Sequence, residues 1–578
     1  MIRSALFAIA ALLFVISVSP ALAFKMTPPP GAWVPDQGDG TYRNPVLQGD
    51  YSDPDVVRVG DDYYLTASSF TNVPGLPVLH SKDLVNWRIV GHALAAVPPV
   101  DHFRVPRRGG GVWAPAIRYH AGRFMIFYPD PDHGIFMVSA KDPAGPWTAP
   151  VLVDATRGAI DPCPFWDSDG RGWLVHAFAA SRAGKNNQVV LKRLNATATR
   201  TVGQAKMIID GARLPPVETS LGPSPWTTIE GPKLYKRDGW YYVFVPAGGV
   251  KNGWQAVFRS RYIDGPYEGR DVMDQGPLDA LASANGPHQG AWVTVGQDQD
   301  WFLHFQDTDA YGRRVWLEPM RWLDGWPVIG AAAMGATRGV PVGGGKKPVA
   351  GQPIAVPVAD DDFKGALNAA WQWNANPGDD WADLKAHPGF LRLNAIAGSA
   401  NLWETGNELT QKLPAQTFSA VTKISLSPAA VGERAGLLVL GYSYGFIGLE
   451  STKDGIVLEQ VTRLDANAGG AETKVVADLK PGAAIWLKVH MEPRIVPATP
   501  DTGAVQWPAM SRAIDAQVTF SYSTDGEHFT LLGDGFTARP GRWVGAQVGL
   551  FAQAPTGTPS AVATRNGWAE FGGFHIEP

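Results

Sequence analysis

The N-terminal half of this chain repeats one short pattern: a distinctive side chain with Gly or Pro close behind it, a strand-like run, a Gly/Asp turn and an aromatic strand. Asp53-Pro54 stands ten residues before Tyr63, Trp113-Ala114-Pro115 eleven before Phe124, Asp161-Pro162 twelve before Trp173 and Glu230-Gly231-Pro232 eleven before Tyr241. A looser fifth copy joins His288-Gln289-Gly290 to Trp301-Phe302. In the first copy VVRV alternates only loosely, YYLTASSF is aromatic and β-prone, and Gly60-Asp61-Asp62 between them reads as a hairpin turn. A second, independent repeat follows the hairpins in LPVLHSKDLVNW, MVSAKDPAGPW and FRSRYIDGPY. Five such units, spaced roughly fifty to seventy residues apart, predict a five-bladed β-propeller.

In a propeller the innermost strand of every blade runs along the central axis, so residues at the strand starts converge on one mouth. Those residues are Asp53, Trp113, Asp161, Glu230 and His288. Any one of them is an ordinary turn residue, because aspartates at turns are common. Three carboxyls, an indole and an imidazole around one funnel are more chemistry than a scaffold needs. The Pro/Gly-rich stretches 99–111 and 214–226 run into Trp113 and Glu230 and are expected to wall the mouth.

At 578 residues the chain exceeds one hydrophobic core, so at least two domains are expected. With 65 Gly and 48 Pro it is rich in turns and poor in long helices, which favours an all-β fold. Residues 331–358 are Gly, Pro and Ala with few large side chains and read as a linker. Alternation returns beyond it in TFSAVTKISL, AGLLVLGYSY, AIWLKVHME, QVTFSYSTDG and VGAQVGLFAQ, which predict a two-sheet sandwich. The expected division is a secretory signal at 1–23, a propeller at 24–330, the linker and a sandwich at 359–578. The signal has a basic start at Arg3, an apolar stretch, and small residues at Ala21 and Ala23, with cleavage expected after Ala23. No other apolar run is long enough to cross a bilayer, so the mature chain is expected to be soluble and secreted or periplasmic, without a membrane partner. A net charge of −4 without a Lys/Arg-rich run argues against nucleic acid. The single cysteine, Cys163, excludes an intramolecular disulfide. Two residues from Asp161, it either lines the mouth or packs as a buried thiol.

Breaking a glycosidic bond needs an acid for the leaving oxygen and a second carboxylate across the sugar ring. A third carboxyl can hold the acid protonated by like-charge coupling and orient it. The aromatic surplus, with 22 Trp, suits stacking on the apolar face of a sugar. Zinc-ligand spacing, a dinucleotide fingerprint, a Gly-x-Ser-x-Gly elbow and a P-loop are all missing from the sequence, which disfavours other common chemistries. The alternative from another class is a carbohydrate-binding propeller without catalysis.

The segments NPVLQGDYSDPDVVRVGDDYYLTASSF, VWAPAIRYHAGRFMIFY, AIDPCPFWDSDGRGWLV, TIEGPKLYKRDGWYYVF and GRRVWLEPMRWLDGWPVIG together resemble glycoside hydrolase family 43 over about residues 40–330. The resemblance implies Asp53 as general base, Asp161 as the residue that tunes and orients the acid, and Glu230 as general acid. It implies that Phe70, Trp113 and Arg313 shape the terminal-sugar subsite. Arg313 is chosen over Arg314 by counting back from Pro319; the other arginine is expected in solvent. Residues 361–578 resemble the concanavalin-like jelly roll appended to xylosidase-type members, one loop of which covers part of the mouth. Trp371–Trp373 and Asn401–Trp403 are the aromatic-rich candidates for it. GPHQG resembles a channel position where a histidine helps hold calcium, so His288 is considered both as a metal ligand and as a core histidine. No cofactor is implied as a requirement. The implied substrate is an oligosaccharide or polysaccharide, cut by an exo-acting, inverting enzyme that releases terminal β-D-xylosyl units, with α-L-arabinofuranosyl units or both as the alternative. A retaining relative acting on fructans would need an Asn-Asp-Pro-Asn-Gly-type context, unlike Tyr51-Ser52-Asp53-Pro54-Asp55.

Overall fold

A computed structural model describes residues 32–220, 222–274, 286–479, 482, 484–496, 513–556 and 567–578; the expected signal at 1–23 lies outside them. Five four-stranded antiparallel sheets follow one another, each with its strands adjacent in sequence order. Their innermost strands are Asp55–Val59, Ala116–His120, Ala159–Trp166, Lys233–Arg237 and His288–Val295, and these define blades I to V. Successive side chains on a strand point to opposite faces, and in a propeller both faces of a blade meet a neighbour. Phe124 and Ile126 therefore pack toward blade I, and Met125 and Phe127 toward blade III. Val243 likewise packs toward blade III and Tyr242 and Phe244 toward blade V. This two-sided burial explains why VVRV alternates so loosely.

A fifth apolar cluster, with Leu65, Leu79, Leu303 and Leu317, joins blade V to blade I and closes the ring. No strand is shared across that seam among the described residues. The lead-in segment fastens it instead. Leu47 and Val315 exchange backbone hydrogen bonds of 3.3 and 3.0 Å, and Tyr42 Oη and Asn44 Nδ2 donate to the Leu317 carbonyl at 2.8 and 2.9 Å.

The stretch 331–358 is strapped to the propeller and does not hang free. Gly344–Lys346 pairs antiparallel with Thr41–Arg43, buried Lys347 lies between Asp36 and Asp83, and Ala355 N donates to Asn86 Oδ1 at 2.9 Å. Its small residues allow this close backbone approach.

The C-terminal part is a sandwich of two eight-stranded sheets. Its core includes Leu437, Val439, Leu487, Val489, Val518 and Phe571, and the propeller's own Ala310 and Tyr311 enter the same cluster. The seam is strongly hydrogen-bonded. Val73 and Trp373 exchange backbone bonds of 2.9 and 2.6 Å, Asn376 binds the backbone of Val97 and Val100, and Tyr311 Oη donates to Gln416 O at 3.0 Å. Buried bonds of this kind contribute about 1 kcal/mol each, and more is lost when one partner is left unpaired.

Candidate active site

The special residues at the mouth fall into two registers. Asp53 and Asp161 each precede a proline and each adopt a left-handed backbone, both with φ 56°. In blade IV the left-handed residue before the proline is Gly231, φ 61°, and Glu230 stands one position earlier. His288 precedes left-handed Gln289 in the same way, and Trp113 precedes Ala114-Pro115. The repeat implies equivalent strand starts, and the structure departs from that: the short aspartates occupy the turn residue itself, and the longer side chains reach in from one residue before it. A non-glycine residue in the left-handed region costs about 1–2 kcal/mol, least for Asp and Asn. In blade III the ladder pairs Ile160 with Ala177 and resumes at Cys163 with Val175, so Asp161-Pro162 form a bulge opposite His176. A bulge re-aims a side chain and admits a proline that cannot donate to the ladder.

Asp53 is buried and held by three groups. Ser52 Oγ and Ser68 Oγ donate to its Oδ2 at 2.6 Å each, and Arg313 Nη1 lies 3.5 Å from both carboxylate oxygens. Arg313 also donates to Ser52 Oγ at 2.8 Å. Burial opposes its charge, but Asp53, Asp307 and Asp50 outweigh burial and raise its pKa. Arg314 is not in solvent as expected: it is buried, and its Nε donates to Thr308 Oγ1 at 2.8 Å.

Asp161 accepts from Gly231 N at 2.8 Å. Burial, then the Glu230 and Asp53 charges, push its carboxyl well above the ordinary range, against the Gly231 amide and Lys233. The coupling was expected to act on Glu230. What the structure resolves is the effect on Asp161, which is buried; the Glu230 side chain is 26% exposed. Asp161→Asn is expected to stabilise the fold at neutral pH. The raised folded pKa means the native state binds more protons than the unfolded chain, so wild-type stability falls as pH rises above the unfolded value near 3.8. Asparagine keeps the acceptor for Gly231 and does not ionise. Thermal unfolding should show the variant's advantage at pH 7 shrinking as pH approaches 4; an advantage that does not change with pH would contradict this.

Gly231 is required for two reasons. Its φ of 61° suits glycine, and an added Cβ would stand 2.7 Å from Gln289 Cδ. Gly231→Ala should lower kcat by about 10²-fold through displacement of Glu230 and the Asp161 contact. Steady-state kinetics would check this, and an unchanged kcat would contradict it.

His288 Nε2 lies 3.3 Å from Glu230 Oε1, its ring packs on Phe305, and among the described residues its Nδ1 has no hydrogen-bond partner. Calcium takes about six to eight oxygen ligands. The surroundings of His288 do not fit it, and among the described residues no group of three or more His, Cys, Asp or Glu side chains is placed to hold a metal. The position beside Glu230 makes His288 a neighbour of that carboxylate instead. Cys163 is fully buried and meets Arg118 Nη2 at 2.9 Å, so it does not line the mouth.

Phe70, with φ 51°, exchanges backbone bonds of 2.8 and 3.0 Å with Val112, joining the loop of blade I to the loop that carries Trp113. Trp113 Nε1 donates to Gly109 O at 3.0 Å. The stretch 99–111 thus does reach this mouth. The stretch 214–226 instead folds on itself, Val217–Thr219 pairing with Gly222–Ser224, and buries Trp226 against Trp254 and Phe258 between blades III and IV.

The sandwich contributes Trp543. Its ring meets Trp113 edge-on at 6.3 Å and lies 5.8 Å from the Arg313 guanidinium. The loop is anchored by buried Asp50, which accepts from Arg313 N at 2.8 Å with one oxygen and from sandwich Gly545 N at 2.9 Å with the other. The stretches expected to supply such a loop stand at the seam: Trp373 pairs with Val73, and Trp403 packs beneath Arg108 at 4.7 Å. Trp543 follows Pro-Gly-Arg in a turn, a weak signal in a chain with so many Trp. At 41% exposure it carries little folding energy. Trp543→Ala should therefore raise KM about tenfold with little change in melting temperature.

A family model described as glycosyl hydrolases family 43 matches residues 42–327, and one described as the beta xylosidase C-terminal concanavalin A-like domain matches 360–577. A putative beta-xylosidase of Xylanibacter ruminicola is 37% identical over 514 residues, 89% of this chain and 86% of that protein. A beta-xylosidase of Formosa agariphila is 30% identical over 573 residues, 90% and 89% of the two chains. A non-reducing end alpha-L-arabinofuranosidase of Bacteroides ovatus is 31% identical over 420 residues, covering 69% of this chain and 73% of that one. Among solved structures, a mutant of a GH43 protein from Bacillus licheniformis superposes with a TM-score of 0.75 at 26% identity, covering 93% of this chain and 99% of that one.

Proposed function

Because the chain belongs to glycoside hydrolase family 43, we propose that it is an exo-acting, inverting glycosidase that removes terminal β-D-xylosyl residues from xylo-oligosaccharides. The observation that carries the reading is the convergence of three acids on one mouth: Asp53 is held by Ser52, Ser68 and Arg313, and Asp161 accepts from Gly231 N, the residue next to Glu230. Glu230, at the more exposed edge, gives a proton to the glycosidic oxygen. Asp53, positioned by Ser52, Ser68 and Arg313, takes a proton from the water that attacks the anomeric carbon from the opposite face. Asp161 holds the Gly231 backbone and with it the position of Glu230. The Trp113–Trp543 corner walls the mouth and supports exo action over passage of a continuous chain. The segment 1–23 supports export of the mature enzyme to the periplasm or medium.

A second reading, α-L-arabinofuranosidase or dual activity, is favoured by the Bacteroides ovatus relative. The two pentosides present similar hydroxyls to one site. Hydrolysis of the 4-nitrophenyl β-D-xyloside and α-L-arabinofuranoside decides between them. The xyloside should have the higher kcat/KM; a strong preference for the arabinoside would reverse the order, and binding without turnover of either would leave a carbohydrate-binding propeller.

A further inference from the structure

The same five innermost strands that carry the catalytic groups open, at their other ends, into a second funnel of about 470 Å³. All five blades line it, through Arg58, Tyr119, Trp166, Tyr235 and Trp292 among others. Asp161 and Trp166 are five residues apart on one strand, which at about 3.3 Å per residue puts the far mouth roughly 16 Å from the carboxylates. The channel between the two mouths is closed. Fully buried Asp55 pairs with Arg118, Lys233 is fully buried with its Nζ on the Pro115 carbonyl, and Cys163 fills the space beside Arg118. The far funnel is therefore not a back door to the active site.

Its lining is aromatic and electrically spent. Tyr119 is 43% exposed, and Phe165, Trp166, Tyr235 and Trp292 are all half-buried. His120 stacks on Trp166 with centroids 4.1 Å apart and planes within 7°. Among the described residues that line it there is no carboxylate, and each lysine and arginine is already paired: Arg58 with Asp61, Arg118 with Asp55, Lys236 with Asp167. A charged ligand finds no free counter-charge there. A neutral ligand with a flat apolar face and hydroxyl edges finds aromatic rings to stack on, at a volume typical of small-molecule sites. We propose that this funnel is a second, non-catalytic carbohydrate site that holds a neutral pentosyl chain, such as an undecorated stretch of xylan, on the face of the propeller opposite the active site. The choice of a pentosyl chain rests on the function proposed above; the existence of a neutral-sugar site does not.

The test uses the full-length protein carrying Glu230→Ala, so that the chain is bound and not consumed. Its migration through native gels containing soluble xylan should be retarded. Adding Tyr119→Ala, or Trp166→Ala in a second variant, should reduce that retardation at least threefold, with little effect of raising salt. In the otherwise wild-type enzyme, Tyr119→Ala should leave nitrophenyl xyloside hydrolysis within twofold. Retardation unaffected by both substitutions would overturn the proposal, and so would retardation that collapses in salt, because it would mean a charged ligand. Melting temperatures separate lost binding from lost folding, and Tyr119, the more exposed ring, is the variant expected to fold normally. Failure of xyloside turnover in the wild-type enzyme would strike the proposed function and leave the gel result standing.

Discussion

Asp53→Asn should reduce kcat by roughly 10²–10⁴-fold on every glycoside, activated or not, because water must lose its proton whatever group departs. Asparagine is the cleaner substitution. It preserves an acceptor for Ser52 Oγ and Ser68 Oγ, whereas Asp53→Ala would also leave those hydroxyls and one side of buried Arg313 unpaired. Breaking a buried pair in that way costs about 3–5 kcal/mol. Arg313 retains Asp307 at 3.6 Å and Ser52, so part of that cost is relieved. Activity on a panel of aryl xylosides, alongside melting temperatures, checks both halves. A variant that folds normally and retains activity on activated substrates would remove Asp53 from the role of base.

Glu230→Ala should behave differently. A good leaving group needs little protonation, so turnover of a dinitrophenyl xyloside should fall far less than that of xylobiose, where the full general-acid contribution of about 10²–10⁴-fold is lost. The plot of log kcat against leaving-group pKa should steepen. Because the Glu230 charge is the largest electrostatic contribution after burial to the raised Asp161 pKa, its removal should also lower that pKa. Equal losses on both substrates would assign Glu230 a positioning role, with His288 at 3.3 Å the group it would be positioning against.

The blades were legible because the turn chemistry and the aromatic strands recur in the same order. Their two-sided burial left the period of two almost invisible, which is why strand faces had to wait for the packing. Asp53, Asp161 and Glu230 stood out as acids beside Gly or Pro. Ser52 and Ser68 did not, although they contact Asp53 directly, because a serine near a turn is too common to notice. The one-residue offset between the aspartates and Glu230 is written in the sequence as Asp-Pro against Glu-Gly-Pro, and its meaning follows from the left-handed residue each turn contains. Arg314 looked like a surface arginine beside a turn, yet the turn is buried beneath the sandwich. Trp543 could not be placed at all, since its role depends on how two domains dock, and that is set by Asp50, Tyr311 and Trp373 acting together over hundreds of residues.

In the proposed mechanism Asp53 activates water and does not attack the sugar itself. The measurement that addresses it most directly is the ¹H NMR signal of the anomeric proton in the first minutes of xylobiose or aryl xyloside hydrolysis, before mutarotation mixes the products. α-Xylose should be the first product from a β-xyloside, formed by a single displacement. First appearance of β-xylose would require a covalent intermediate and would contradict the assignment of Asp53, however inactive its variants proved.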